Sequence, residues 1–442
     1  SSKSLTSSKS LTSVEIPLTS ENHALQFKSL MKYILQLHNS YNHEEAIFIL
    51  LNLLKCDSRL SFAQKIEIIK NLAISAYFVP NYKQYGLLFA DIYLHYHKGH
   101  GPNMLYNSRY YMKPLITAAT LEIPFTPPLI ENPYRQYQGR RYNVMNPFLI
   151  SQKHQPDKWW YLIRCVNYYQ EHAAHFHCMS ADNRIYTRNY LLSLNSNFEV
   201  DQQWEIVENL DIPKYQVRVD GMEDCRLISF INDAGVEVLY FSTAVYYTHQ
   251  VGVPKIAWAQ LANPYDNLTK DKIEVTSLET IFKPTKDGIE KNWLPFEEDG
   301  ETKFIYKCCP LTIYKFDPSK VNETFTLDVM EDNCLSGNGE HRIRNSAGPI
   351  PFNDGYLIIA HEVSFNDNKR EYYHRFMFYD KLWVLKQISH LFYFTHLGIE
   401  FSPSLASDDN YLYVGLGVED KQALILKVSM EVVLEMLHEP PT

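Results

Sequence analysis

The chain has 442 residues, 45% hydrophobic and 21% charged, with a formal net charge of −9. It is long enough for two or three domains and lacks the basic excess expected of a nucleic-acid or anionic-membrane binder. Its seven cysteines are odd in number and show no CxxC spacing, which argues against a disulfide framework or structural zinc and for a reducing compartment.

Residues 1–20 open on a doubled SSKSLT and are expected to form a flexible polar tail. They lack the basic-then-apolar layout of a signal peptide, and no apolar run later in the chain approaches a membrane span. A cytoplasmic location is the expectation. Over residues 21–120 apolar side chains recur every three or four positions, which predicts a helical bundle or repeat-like module of four helices. Asn42 is a candidate N-cap, with Glu44 and Glu45 in the first turn behind it. Such a block packs on a neighbour or binds a protein partner. Residues 121–140 read as a Pro-rich connector.

From 141 to 442 the texture is β. Short alternating runs cluster near 145–200, 215–265, 290–330, 345–390 and 395–430, with hairpin turns at Asp233-Ala234-Gly235 and Asp354-Gly355. Evenly spaced antiparallel clusters predict a five-bladed β-propeller closed by an amphipathic C-terminal helix, with a sandwich as the alternative. The fold class expected is therefore α+β multidomain: an N-terminal helical module followed by an all-β five-bladed propeller.

A propeller works at one mouth of its central channel, so polar clusters recurring once per blade are the informative signal. They occur as Asn146-Pro147 with Arg164, then Glu223-Asp224-Cys225-Arg226, then "EKNWLPF" from Glu290. "RIRNSAGPI" from Arg342 with His361 follows, and last come "EFSPSL" and "GLGVED" ending at Asp420. Each has a plainer reading. A lone E-D-x-R is more often a surface ion pair, and a lysine such as Lys291 more often solvates a strand end. His361 fits a hydrogen-bonded core histidine equally well. Trp159, Trp160, Trp258 and Trp293 fit a core better than sugar platforms, and Cys308-Cys309 fits space-filling better than reactivity. Walker, GxGxxG, HExxH and GxSxG patterns are absent. No metal or cofactor is expected, and no nucleic-acid partner.

Taken in order, the clusters resemble glycoside hydrolase family 130, the β-mannoside phosphorylases and β-mannosidases, and the related β-1,2-mannosyltransferases. The resemblance spans about residues 140–438. Glu223-Asp224-Cys225-Arg226 stands where that family has E-D-P-R, and Lys291-Asn292 followed by Trp293-Leu294-Pro295-Phe296 stands at its K-N element. Gly348-Pro349, Asp354-Gly355 and His361 match a G-x-P turn, a D-G hairpin and a strand ending in His, and Gly417 to Asp420 matches G-x-x-D. Cys225 departs from the family's proline, and Lys307-Cys308-Cys309-Pro310 replaces a phosphate-holding His-Arg-Pro element.

The resemblance implies inverting chemistry with Asp224 as the acid or base, its proton travelling through a sugar hydroxyl. It also implies Asn146, Arg164, Glu223, Arg226, Asn292 and Asp420 around the sugar, with Lys291, Arg344 and His361 on phosphate or donor. Beside Asp224, Glu223 would raise its pKa and Arg226 lower it. The expected partners are a sugar donor (sugar phosphate or nucleotide sugar) and a glycan acceptor. Transfer from an activated, mannose-like sugar is preferred. Hydrolysis, phosphorolysis and a non-catalytic glycan-binding scaffold stay open.

Overall fold

The computed structural model describes residues 23–40, 42–54, 60–79, 114–172, 175–248, 252–281, 289–309, 311–316, 327–328, 343–366 and 369–439. The expected polar tail, the fourth helix expected after Pro80, Pro310 and Arg342 lie outside the described residues. The chain divides into two compact units, residues 1–93 and 94–442.

In the first unit the described helices are α1 (His23–Asn39), α2 (His43–Leu54) and α3 (Phe62–Phe78). Ser61 caps α3 in a reciprocal box: its hydroxyl accepts from the Gln64 amide, and the Gln64 side chain accepts from the Ser61 amide. Asn42 precedes α2 as expected, with Glu44 and Glu45 in the first turn, where carboxylates suit the helix dipole. The apolar stripes meet in a core around Ile34, Ile47, Leu50, Ile68 and Leu72. No described helix is long and apolar enough to cross a membrane.

The second unit is mostly β. A short strand β1 (Ala119–Leu121) comes first. Sheet one holds β2 (Asn143–Ser151), β3 (Trp159–Val166), β6 (Ile185–Leu194) and β7 (Val200–Val207), with an inserted hairpin of β4 (Tyr168–His172) and β5 (His175–Cys178). After the two-residue β8 (Val219–Asp220), sheet two holds β9 (Met222–Ile231), β10 (Glu237–Val245), β11 (Lys255–Leu261) and β12 (Lys272–Thr280). Sheet three holds β13 (Leu294–Glu298), β14 (Glu301–Cys308), β15 (Leu311–Phe316) and β16 (Leu327–Asp328). Sheet four holds β17 (Arg344–Phe352), β18 (Gly355–Asn366), β19 (Lys369–Asp380) and β20 (Leu385–Ser389), and sheet five holds β21 (Glu400–Ser407), β22 (Tyr411–Val418) and β23 (Gln422–Ser429). Helix α4 (Met430–Met436) is shorter than the amphipathic helix expected, because the chain turns at Leu437 into β24 (Leu437–His438), which pairs with β20.

Two observations give these sheets a propeller-like order. Their first strands touch in a closed sequence: β2 with β9, β9 with β13, β13 with β17, β17 with β21, and β21 with β2. Each neighbouring pair of sheets also encloses its own apolar cluster. Trp160 and Leu191 meet Leu227 and Phe241; Ile228 and Trp258 meet Phe304 and Phe316. Leu294 and Ile305 meet Ile358 and Met377; Leu357 and Phe376 meet Val414 and Leu426. Leu149, Trp159 and Tyr161 meet Tyr413 and Ile425, which closes the sequence. Burying both faces of every sheet in this way lets short strands sum to a large core. All four tryptophans weighed as sugar platforms are buried in these layers.

Strand β1 straddles the end of the span read as helical and the start of the connector. It pairs antiparallel with β23, Ala119 opposite Lys427 and Leu121 opposite Ile425, and so supplies the outer strand of the last sheet. Three residues carry too little alternation to be legible alone. On the outside of sheets one and two, β7 and β12 pair in parallel, which joins the two sheets into one.

Candidate functional site

The inner strands break their ladders at one level. The register shifts between Met145 and Phe148 on β2, across from Asp224-Cys225 on β9, between Asn345 and Ala347 on β17, and between Phe401 and Ser404 on β21. A bulge re-aims side chains and frees backbone carbonyls from the ladder. Asn146 and Asp224 sit in two of these bulges at φ 46° and 51°, and Asn292 and Asp420 adopt 61° and 52° near strand ends. Asn and Asp tolerate this left-handed region because their short polar side chains bond locally. The residue types singled out in the sequence are thus the ones the backbone needs there.

Polar ties link neighbouring inner strands around the axis. Asn146 Nδ2 donates to Asp224 Oδ1 at 2.8 Å, and Arg164 grips Asp224 Oδ1 at 2.8 Å and Glu223 Oε1 at 2.5 Å. Lys291 Nζ lies 3.3 Å from Glu223 Oε2, which also accepts from the Tyr246 hydroxyl at 3.1 Å. Asn345 Nδ2 donates to the carbonyls of Asn292, Ile305 and Tyr306, Ser346 Oγ to Ser402 O, and Ser404 Oγ to Pro147 O. Gly415 has no room for a side chain: a Cβ would stand 2.4 Å from Pro147 O.

Asn146, Arg164, Glu223, Asp224, Lys291, Asn292, Arg344, His361 and Asp420 all line one cavity of about 450 Å³. Arg226 does not. It is buried beneath the floor, where NH1 donates to the freed carbonyls of Ser346 and Pro403 at 2.7 and 2.6 Å and NH2 reaches Asn292 Oδ1 at 3.4 Å. Arg226, expected beside the sugar, is placed to span from sheet two to sheets four and five. Burial pulls it down to about 10, against Asp224, which acts to raise it. Arg226→Lys is expected to destabilise the fold by about 1–3 kcal/mol, since an ammonium lacks the planar fork and leaves a buried carbonyl unpaired. Urea denaturation measures this.

The charge states follow from the packing. Burial works to raise the pKa of Asp224, but Arg164, then Lys291, Asn146 and Arg226, hold it below the usual carboxylate range. The Arg226 effect runs in the direction expected from the sequence, and Arg164 exceeds it. Arg164 is itself opposed by burial and raised by Glu223 and Asp224. His361 is pulled down to about 3 by burial, with Arg344 and Arg226 adding to it, so it is neutral and offers hydrogen bonds without charge. Asp420 moves the other way: burial pushes it up to about 6. Arg164 Nε and His361 Nδ1 are buried without a hydrogen-bond partner among the described residues. Buried polar atoms of this kind call for a ligand or water.

Several lining residues were not singled out in the sequence. Arg218 precedes β8, Tyr246 follows β10, and Arg370 and Tyr372 lie on β19. The alternation Arg370, Tyr372, His374 on one strand face was a legible signal for that wall, whereas Arg218 carries none. Lys307, Cys308 and Cys309 do not line the cavity; Cys308 and Cys309 pack between sheets three and four. Cys225 is buried, and burial pushes its thiol up to about 12. Brief iodoacetamide treatment at neutral pH is expected to leave Cys225 unmodified in the native protein and to modify it in denaturant, as read by peptide mass spectrometry.

No protein-family model matches the sequence, and no curated protein matches it. Among solved structures the chain is similar to a β-1,2-mannobiose phosphorylase from Listeria innocua, at 13% identity over 67% of this chain and 92% of that one, TM-score 0.41. It is similar at 11% identity to a structure from the GH130 family of mannoside phosphorylases and hydrolases acting on β-1,2 mannosidic linkages in Candida mannan, covering 72% of this chain and 95% of that one, TM-score 0.47. A GDP-Man-dependent mannosyltransferase from Leishmania mexicana, MPT-1, matches at 12% identity over 65% of this chain and 85% of that one, TM-score 0.39.

Proposed function

We propose that residues 141–442 form a five-bladed β-propeller enzyme that transfers a hexosyl unit, mannose-like, from an activated sugar to a glycan acceptor. The reaction inverts the anomeric centre without a metal. The observation that carries this reading is convergence: side chains chosen from separate sequence motifs, on strands of sheets one, two and four, on the segment leading into sheet three and on a turn of sheet five, share one cavity around Asp224. Scattered surface ion pairs would not meet there.

The geometry supports distinct roles. Asp224, held ionised by Arg164 and Asn146, accepts a proton from the acceptor hydroxyl, directly or through a sugar hydroxyl, as that oxygen attacks the anomeric carbon. Arg164 and Lys291 are neutralised by Asp224 and Glu223. Arg218 and Arg344 add further positive charge to the lining. That surplus suits an anionic leaving group, because guanidinium forks match phosphate oxygens. The surplus favours transfer from a sugar phosphate or nucleotide sugar over hydrolysis, which needs no anion site.

The test supplies purified protein with mannose 1-phosphate and nucleoside diphosphate mannoses, each with oligomannoside acceptors, and reads products by mass spectrometry. Extension of the acceptor, absent with Asp224→Asn, is the expected result. Free mannose would replace transfer by hydrolysis, and release of mannose 1-phosphate from oligomannoside and inorganic phosphate would replace it by phosphorolysis. No product from any donor would leave a binding module.

A further inference from the structure

We infer that Asp420 is a second catalytic carboxyl of this site, the one that hands a proton to the departing oxygen while Asp224 takes one from the acceptor. The inference rests on the glycosyl-transfer reading above.

Its geometry comes from the turn between β22 and β23, where Asp420 adopts φ 52° and turns a partly buried side chain into the cavity that Asp224 also lines. The two carboxyls have unlike surroundings. At the floor, Arg164 and Lys291 stand against Glu223 and Asp224, two cations with two carboxylates, and those charges are satisfied by contact. Asp420 is the third carboxyl of the cavity, and no cation or hydrogen-bond donor reaches it among the described residues.

The groups facing Asp420 come from every element around it. Arg164 on β3 and Arg370 on β19 favour its charge, while Asp224 on β9 and the adjacent Glu419 oppose it. Tyr168 on β4 and Tyr372 on β19 also feel its charge. Glu419 is itself held by His396 Nε2 at 2.9 Å and by the Ile399 amide at 3.0 Å. Burial outweighs the two guanidinia, and the carboxyl keeps its proton to a higher pH than Asp224 does. A pair of carboxyls pushed apart in this way is the pattern by which one site holds an acid and a base at the same pH. Arg370 and Tyr372 line the same cavity as Asp420.

The step balances. The acceptor oxygen forms its bond to the anomeric carbon and releases its proton to Asp224. The bond from that carbon to the leaving oxygen breaks, its electrons stay on the leaving oxygen, and Asp420 supplies the proton. Solvent returns a proton from Asp224 to Asp420 between turnovers.

The experiment is a pH profile of kcat/KM with a nucleoside diphosphate mannose, whose diphosphate diester does not titrate near neutrality. Wild type should lose rate as pH rises through an apparent pKa near 6. Asp420→Asn should lower kcat about a hundredfold and abolish that limb, and Asp420→Glu should restore both in part. A raised KM with the limb intact would make Asp420 a sugar-binding residue and overturn the inference. A carbon-13 titration of the aspartate carboxyls provides a readout free of turnover: a signal near 6, lost in Asp420→Asn, is expected, and an Asp420 signal titrating near 4 overturns the assignment. Wild type inactive on every donor would fail the transfer reading itself, a result separate from either Asp420 outcome.

Discussion

Arg164→Met is expected to destabilise the folded protein by about 3–5 kcal/mol at neutral pH, because it strands two carboxylates beneath the cavity floor. Arg164 is 3% exposed, and its two bonds, to Glu223 and Asp224, are among the shortest side-chain contacts in the site. Removing it leaves Lys291, more than a third exposed and in contact with Glu223, together with Asn146 and the buried Arg226 to offset both. The pH dependence should invert. In wild type Asp224 is depressed, so its ionisation stabilises the fold above the unfolded pKa of about 3.9 and that stability is lost as pH falls through the folded value. Without Arg164 burial dominates and the folded pKa rises above the unfolded one. Stability is then greatest at low pH and lost as pH rises through the raised value. Chemical denaturation of both proteins at several pH values measures this. A variant that tracks wild type at every pH would show that the floor is wetter or more yielding than its contacts imply.

Asp224→Asn is expected to lower kcat by about two to four orders of magnitude while the protein stays folded, its melting temperature somewhat lower because the stabilising carboxylate charge is gone. The amide keeps the shape that Asn146 and Arg164 enclose but cannot accept a proton, and it has no charge to oppose Arg164. Because Arg164 retains Glu223, the ion-paired floor survives. A comparable loss in kcat and kcat/KM would mark an interaction made in the transition state, whereas a loss confined to KM would mark ground-state binding. Initial rates across donor concentration separate the two.

Much of this site was legible because its backbone demands particular residues. Asn146, Asp224, Asn292 and Asp420 occupy left-handed positions at bulges and strand ends, so short polar side chains stand where the chain turns inward. Arg226 looked the same as its neighbours in sequence. Its role depends on carbonyls freed in β17 and β21, far along the chain, and no local pattern announces them. The opposite charge states of Asp224 and Asp420 were equally hidden. They are set by which carboxyl Arg164 touches, a matter of distances that spacing does not encode. The basic wall was readable in part, through the alternation on β19. Arg218 was not, since a single arginine before a two-residue strand has no pattern to stand in.

The pairing of β1 with β23 also has a kinetic meaning. Synthesis proceeds from the N-terminus, so Ala119–Leu121 is made before any of the five sheets yet has no partner until residues 422–429 emerge. Sheets one to four can each form from neighbouring hairpins as they are translated. The last sheet must recruit a segment made at the start, a closure of very high sequence separation and correspondingly slow. Until then β23 presents an open edge, the moment at which a nascent chain is most exposed to pairing with another copy of itself.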